Sequence, residues 1–189
     1  MQDKDRLELW LVRHGETTAS VARRIAGGSN PPLTEVGRAE AAALRPSLDG
    51  HLFESVWSSD LDRAMTTARL AWGEPTPEPR LREVDFGIWE GRGYDDVDPT
   101  VAAVFLQFRE FEIPKGDTHR GFRRRVHSFV DELALGRHLL FVHGGVIRVL
   151  TQDLGLDRFV PTGTLVIVDW KQQHLVSVVE PGSPATFDD

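Results

Sequence analysis

Short, uninterrupted apolar runs alternate along the chain with segments of helical periodicity, and this alternation constrains the fold more than any other feature. The runs at residues 9–12 and 139–142 are typical of strands buried on both faces, and residues 55–57 form a shorter one. Helical spacing follows at 61–72 and 145–154. Strands that alternate with helices indicate an α/β fold, which we expect to be a three-layer α/β/α sandwich with a mostly parallel central sheet.

The remaining segments extend this prediction along the chain. Thr34 is a favourable N-cap for a helix that reaches Leu44. Further predicted elements are helices over 97–111 and 122–135, a short strand over 80–82, and a terminal hairpin over 165–170 and 175–179. The length fits one compact domain, residues 1–189.

Composition and charge exclude several classes of protein. The chain contains no cysteine, which excludes disulfides, thiolate zinc sites and cysteine nucleophiles. A net charge of −7 argues against a nucleic-acid partner, and the lack of an 18-residue apolar run argues against a membrane partner. No signal peptide is recognisable, so we expect a cytoplasmic protein. Assembly as a homodimer stays an open alternative.

Two predicted strands end in the same way, with a histidine followed by glycine. His14-Gly15 follows the first strand and His143-Gly144 follows the later one. Glycine allows a ligand to approach the backbone closely. Neighbouring parallel strands direct their carboxyl ends into one crevice. A single histidine at a strand end is more often structural, but the matched pair predicts that both imidazoles face one site.

Two further segments carry candidate groups. Arg63 falls in the first turn of the 61–72 helix, and a helix N-terminus attracts anions. The loop at 81–91 places Glu83 just after a short strand, and Trp89 could line a pocket. Taken alone, Arg63 would be a solvated surface arginine and Trp89 a core residue.

The motifs of the chain, taken in order, resemble those of the histidine phosphatase superfamily, also called the phosphoglycerate mutase-like family. They span most of the sequence, and the likeness is greatest to the small phosphatases, which include α-ribazole phosphatases. The matching segments are residues 11–17, 24–27, 32–39, 58–64, 81–83, 86–91 and 142–148.

The resemblance implies a phosphomonoesterase that hydrolyses a small phosphorylated metabolite through a phosphohistidine. His14 would be the nucleophile, and Glu83 would protonate the leaving oxygen and then activate water. Cationic and histidine side chains would neutralise the transferring group, so neither a metal nor another cofactor is implied. The implied catalytic residues are His14, Glu83, His143, Arg13 and Arg63, and the implied phosphate-binding residues are Arg13, Ser20, Arg63, His143 and Gly144.

The chain departs from the family pattern at two places. Ser20 stands where many members carry an asparagine that helps to hold the phosphate. Residues 114–118 stand where many small phosphatases have Pro-Gly-Gly-Glu-Ser, with Lys115 and Asp117 replacing glycine and glutamate. Because this region tends to border the substrate in relatives, the resemblance alone does not establish the specificity of this chain.

Residues 92–120 are expected to form a helical cap that covers the site and selects the substrate. The segment lies between Glu83 and the last core strand and mixes charged with aromatic residues, among them Tyr94, Phe105 and Phe108. An ordinary packed helical excursion is the alternative.

Other functions remain open. Mutases that resemble this family have a longer stretch between the acid and the second histidine, so the short spacing from Glu83 to His143 favours a phosphatase over mutase-type transfer. A non-catalytic phosphate-binding module is a second alternative. His14, Glu83 and His143 also form a common metal-ligand set, although Arg13 and Arg63 would repel a metal ion.

Overall fold

A computed structural model describes residues 6–183, apart from the side chains at positions 100, 101, 104 and 105. The outer limits of the predicted domain and the Phe105 side chain therefore lie outside the described residues. Within them, six strands form one sheet in the order β3-β2-β4-β1-β5-β6. The strands are β1 (Leu7–Arg13), β2 (Ser55–Ser58), β3 (Thr76–Pro77), β4 (Gly136–Val142), β5 (Leu165–Asp169) and β6 (His174–Val179).

Helices occupy the connections between these strands. They are α1 (Thr18–Val21), α2 (Glu35–Ala43), α3 (Arg45–Leu48), α4 (Asp62–Ala71), α5 (Pro99–Gln107), α6 (His119–Val130) and α7 (Gly144–Thr151). Short 3₁₀ turns lie at Pro79–Leu81, Gly87–Trp89 and Tyr94–Asp96. No helix in the described part of the chain is long and apolar enough to cross a membrane.

The sheet is mostly parallel, as predicted. β1 runs parallel to β4, which runs parallel to β2, and β2 runs parallel to β3. β5 and β6 add an antiparallel hairpin on the other side of β1. In the β1–β4 register Arg13 lies opposite Val142, so these two strands end side by side.

Alternate residues of β1 supply two separate cores, one on each face of the sheet. Leu9 and Leu11 pack into the core that α6 and α7 cover, whereas Trp10 and Val12 pack into the core that α3 and α4 cover. All four side chains are almost completely buried, and burial of each stabilises the fold by about 1.5–3 kcal/mol. The arrangement confirms the three-layer α/β/α sandwich.

Side-chain caps set the start of two long helices. The Thr34 hydroxyl accepts from the Gly37 amide at 3.0 Å and begins α2, as predicted. The Thr118 hydroxyl accepts from the Gly121 amide, so α6 begins at His119 rather than at the predicted residue 122. α5 ends at Gln107, four residues before its predicted end, because Phe108 adopts a left-handed φ of 52°.

The predicted strand over 80–82 is wrong. Pro79 lacks an N–H group and fixes its φ in the helical range, and it begins the 3₁₀ turn Pro79–Leu81. The Glu78 carboxylate caps this turn by accepting from the Arg80 amide at 2.9 Å. The short edge strand lies immediately before the turn, as β3.

Candidate active site

The neighbouring ends of β1 and β4 bring the two predicted histidines together. The His14 amide donates to the Val142 carbonyl at 3.0 Å, which ties the two strand ends. The imidazole rings of His14 and His143 lie with their centroids 5.1 Å apart. The matched His-Gly strand ends therefore meet at one edge of the sheet, as the parallel topology predicted.

The ring of His14 is held in one tautomer. Its Nδ1–H donates to the Gly15 carbonyl at 2.8 Å, which leaves the lone pair on Nε2. The Arg63 Nε–H donates to that Nε2 at 3.3 Å. Burial, reinforced by the charges of Arg63 and Arg13, holds the pKa of His14 well below its usual value. His14 is therefore neutral, and its Nε2 can act as a nucleophile once it gives up the contact with Arg63.

Arg63 is a buried part of the site and not a solvated surface residue. It lies in the first turn of α4 with only 2% of its surface exposed. Its guanidinium donates to the Ser29 carbonyl at 2.6 Å and to the Gly27 carbonyl at 2.9 Å. Burial lowers the pKa of Arg63 to about 10, so the group remains charged at neutral pH.

Glu90 holds the loop that binds Arg63, and the sequence did not single it out. Its Oε1 accepts from the amides of Gly27 and Gly28 at 2.8 and 3.0 Å, and its Oε2 accepts from the Ser29 hydroxyl at 2.9 Å. The adjacent Trp89, considered as a pocket wall, packs against the core instead. The signal that could have identified Glu90 was its place as the acidic residue of the segment Phe86-Gly87-Ile88-Trp89-Glu90-Gly91.

Thr67 is a second residue that the sequence did not reveal. Its hydroxyl accepts from the Gly15 amide at 3.1 Å and donates to the Arg63 carbonyl at 2.8 Å. Since the first of these contacts joins residues far apart along the chain, no local pattern marks it. Thr67 thus links the end of β1 to the first turn of α4.

Arg13 and His143 place further hydrogen-bond donors near His14. An Nη of Arg13 donates to the Val160 carbonyl, while its buried Nε has no partner among the described residues. His143 is fully buried, and neither ring nitrogen has a partner among those residues. Unpaired buried polar groups cost about 1–3 kcal/mol each, which an oxyanion could offset by accepting from them.

Both groups have a lowered pKa because they are buried. For His143 the charges of Arg63 and Arg13 add to the effect, and its pKa lies well below the usual value. For Arg13 the nearby Glu83 carboxylate opposes the effect of burial on the pKa. A neutral His143 can still donate one N–H to an anion.

Glu83 is held beside the first turn of α7. One carboxylate oxygen accepts from the Gly145 amide and the other from the Val84 amide, each at 3.0 Å. A Cβ at residue 145 would collide with the Glu83 carboxylate, so this approach requires glycine. Glu83 is half-buried and borders the same cavity as His14.

Most of these groups line a cavity of about 470 Å³. His143 lies against His14, outside the cavity lining. The predicted site residues that line it are Arg13, His14, Ser20, Arg63, Glu83 and Gly144. The other lining residues are Ile25, Ala26, Phe86, Val97, Ala102, Leu106, Phe108 and Phe159, with Thr17, Arg23, Arg24 and Tyr94 as the polar members. The lining thus combines four arginines with a mainly apolar surface.

Ser20 borders the cavity, but its hydroxyl is engaged in a local cap. It donates to the Thr17 carbonyl and accepts from the Thr17 amide, both at 2.8 Å. A serine hydroxyl has a single proton to donate. A phosphate contact from Ser20 would therefore require the hydroxyl to leave this cap.

The segment 92–120 contributes part of the cavity wall. Its lining residues include Tyr94, Leu106 and Phe108. Residues 114–118 are not among the described residues that line the cavity, contrary to the expectation that this stretch borders the substrate. They pack behind Glu83, where the Pro114 carbonyl accepts from the Ile88 amide at 3.2 Å.

The metal-site alternative lacks a donor set. Across residues 6–183, no group of three or more histidine, cysteine, aspartate or glutamate side chains is arranged to hold a metal ion. The His14 Nδ1 already donates to a backbone carbonyl, and the Arg63 cation contacts its Nε2.

Comparisons with known proteins identify the family to which the chain is related. The family described as the histidine phosphatase superfamily (branch 1) matches residues 9–179. An adenosylcobalamin/alpha-ribazole phosphatase of Salmonella typhimurium is 38% identical over 160 residues, which cover 78% of this chain and 79% of that protein. A protein named "Probable phosphoglycerate mutase GpmB" from Yersinia pestis is 35% identical over 160 residues, covering 78% and 74%.

A solved structure shows the same architecture. The crystal structure of a phosphoglycerate mutase from Thermus thermophilus superimposes with a TM-score of 0.85 at 40% identity. The match covers 91% of this chain and 98% of that one.

The lowered pKa values of His14 and His143 predict how stability depends on pH. Unfolding restores ordinary histidine pKa values near 6.5, so the unfolded chain binds more protons as the pH falls below about 7. Each histidine should then reduce the free energy of unfolding by up to about 1.4 kcal/mol per pH unit. Urea unfolding of His14→Gln and His143→Gln between pH 7 and 5 should show a shallower dependence than the wild type. Exposed His174→Gln is the control, and curves of equal slope in all variants would contradict the prediction.

Proposed function

The chain belongs to the histidine phosphatase superfamily, as its motifs indicated, and on that premise we propose that it is a phosphomonoesterase acting through a phosphohistidine. The observation that carries the proposal is the state of His14. Its Nδ1–H is tied to the Gly15 carbonyl, and its Nε2 carries no proton and accepts from the Arg63 Nε–H at 3.3 Å at the edge of the cavity that His14 lines. A neutral imidazole held beside two guanidinium groups is suited to attack a bound phosphate dianion.

The first step forms a bond between His14 Nε2 and phosphorus while the ester P–O bond breaks. Arg13, Arg63 and His143 stabilise the charge on the phosphoryl oxygens. Glu83, as the carboxylic acid, gives its proton to the departing alkoxide oxygen. The products of this step are the free alcohol and phosphohistidine.

The second step returns the enzyme to its starting state. The Glu83 carboxylate accepts a proton from water as the water oxygen attacks phosphorus. The N–P bond breaks, and its electron pair returns to His14 Nε2. Inorganic phosphate leaves, with Glu83 protonated for the next cycle.

The apolar part of the cavity favours a substrate whose alcohol carries an apolar face. Phe86, Phe108 and Phe159 are among the apolar residues that line the cavity. The relative named as an adenosylcobalamin/alpha-ribazole phosphatase supports placing α-ribazole 5′-phosphate among the candidates. We propose that the segment 92–120, which carries Tyr94 and Phe108, selects among such alcohols.

Mutase-type transfer is the second candidate, and two arginines favour it. Arg23 and Arg24 line the cavity in addition to Arg13 and Arg63. They could pair with the carboxylate of a phosphoglycerate, although Arg24 already donates to the Gly91 carbonyl at 2.8 Å. Relatives of both kinds occur, so the reaction must be tested directly.

The fate of the phosphoryl group distinguishes the two candidates. We expect purified protein to release inorganic phosphate from p-nitrophenyl phosphate and α-ribazole 5′-phosphate, and to do so poorly from 2- and 3-phosphoglycerate. Phosphate release and phosphoglycerate interconversion should be followed in parallel. Interconversion of 2- and 3-phosphoglycerate without net release would establish the mutase instead.

The covalent intermediate should be trapped on His14. A phosphoramidate is stable in alkali and labile in acid, so a rapid alkaline quench with radiolabelled substrate should leave label on the protein. His14→Ala should remove both label and activity, because it deletes the Nε2 that would form the bond to phosphorus. His174→Ala, on an exposed position, should retain both. Full activity with alanine at position 14 would refute the proposal.

The role of Glu83 predicts a dependence on the leaving group. Glu83→Gln cannot give a proton, so kcat/KM for an alkyl phosphate should fall by about 100- to 10,000-fold. p-Nitrophenolate needs little protonation, so its ester should be affected much less. Glu112→Gln, on an exposed side chain, is the matched control. An equal loss for both esters would show that Glu83 is not the acid.

A further inference from the structure

Arg125 binds the backbone that carries Glu83, although it lies outside the cavity lining. It projects from α6, and one Nη donates to the carbonyls of Arg80 and Arg82, each at 2.9 Å. The other Nη donates to the Glu83 carbonyl at 3.2 Å. One guanidinium therefore fixes the chain leading into Glu83.

Asp117 fixes the chain on the other side of Glu83. Its Oδ2 accepts from the Asp85 amide at 3.0 Å, while its own amide donates to the Asp85 carbonyl at 2.9 Å. The same Oδ2 accepts from Arg125 at 3.0 Å, which joins the two contacts into one unit. A Cβ at Gly116 would collide with the Asp85 carbonyl, so the two segments can approach this closely only with glycine there.

We propose that Arg125 and Asp117 are positioning residues that hold the Glu83 carboxylate in place for proton transfer. The inference rests on the proposed role of Glu83 as acid and base. Proton transfer requires heavy atoms within about 2.6–3.2 Å, and a misplacement of about 1 Å can cost about 100-fold in rate. Backbone bonds on both sides of Glu83 restrict the motion that would produce such a misplacement.

The chemistry of the pair explains why arginine occupies position 125. A guanidinium presents its donors in a rigid fork, so it can bind three carbonyls and a carboxylate at once. A lysine ammonium carries its three donors on one nitrogen and cannot span the same set. Arg125→Lys should therefore not hold the backbone around Glu83 as arginine does, although it retains the positive charge.

The contacts of Arg125 and Asp117 could instead serve only the stability of the fold. The dependence of the rate on the leaving group distinguishes this structural role from the positioning role. A structural role would lower the rate equally for every substrate through loss of folded protein. A positioning role, acting through Glu83, would lower the rate mainly for esters that need a proton. This loss of rate would also disappear in a Glu83 variant that can no longer give a proton.

The test compares Arg125→Gln with Arg124→Gln, an exposed arginine one residue away on α6. kcat/KM is measured for p-nitrophenyl phosphate and for an alkyl phosphate, with circular dichroism to establish folding. We expect Arg125→Gln to lose about 10- to 100-fold on the alkyl phosphate and much less on p-nitrophenyl phosphate. Arg124→Gln should match the wild type, and Arg125→Lys should resemble Arg125→Gln.

A double variant completes the test. Adding Arg125→Gln to Glu83→Gln should cause no further loss on the alkyl phosphate, because the acid is already absent. Equal losses on both esters, or additive losses in the double variant, would overturn the inference. If Arg125→Gln does not fold, Asp117→Asn is compared on the same two esters. Wild-type values of kcat/KM for Asp117→Asn would also overturn the inference. If Glu83→Gln alone shows no leaving-group dependence, the proposed role of Glu83 fails first and the inference fails with it.

Discussion

The parallel pairing of β1 with β4 is the interaction on which the rest of the site depends. Arg13 lies in register with Val142, and the His14 amide continues the ladder by donating to the Val142 carbonyl. Because these backbone bonds fix both strand ends, the imidazoles of His14 and His143 must lie side by side. A shift of one residue would turn the side chains of a strand to the opposite face of the sheet and separate them.

Backbone carbonyls, rather than carboxylates, hold much of the buried positive charge. Arg63 donates to the carbonyls of Gly27 and Ser29, and Arg13 donates to that of Val160. Carbonyl oxygens satisfy the N–H groups without cancelling the charge, so the pocket keeps a positive potential for an anion. Burial, together with the same potential, lowers the pKa of His14 and keeps it neutral, which is the state that the proposed attack requires. One electrostatic arrangement thus suits both the proposed nucleophile and the proposed anion site.

Irregular loops carry or hold the remaining groups, and side chains from elsewhere in the chain bind the backbone of these loops. The Glu90 carboxylate binds the amides of Gly27 and Gly28, whose loop in turn holds Arg63. The Arg125 guanidinium binds the carbonyls around Glu83. Loops lack the hydrogen-bond ladder of a strand, so a well-defined site on them needs side chains that satisfy several backbone groups at once. Glu90 and Arg125 each satisfy several backbone groups of these loops.

The sequence by itself determined the elements and the sheet edge that carries the histidines, because apolar periodicity, the Thr34 cap and the repeated His-Gly ends are local patterns. It could not determine that the turn at Pro79–Leu81 replaces a strand, or that the Ser20 hydroxyl donates to its own cap. Nor did it reveal Glu90 or Arg125 as supports of the site. Only the tertiary structure decided these points, since they depend on which backbone group a polar side chain reaches in the folded chain, and sequence spacing does not encode that distance.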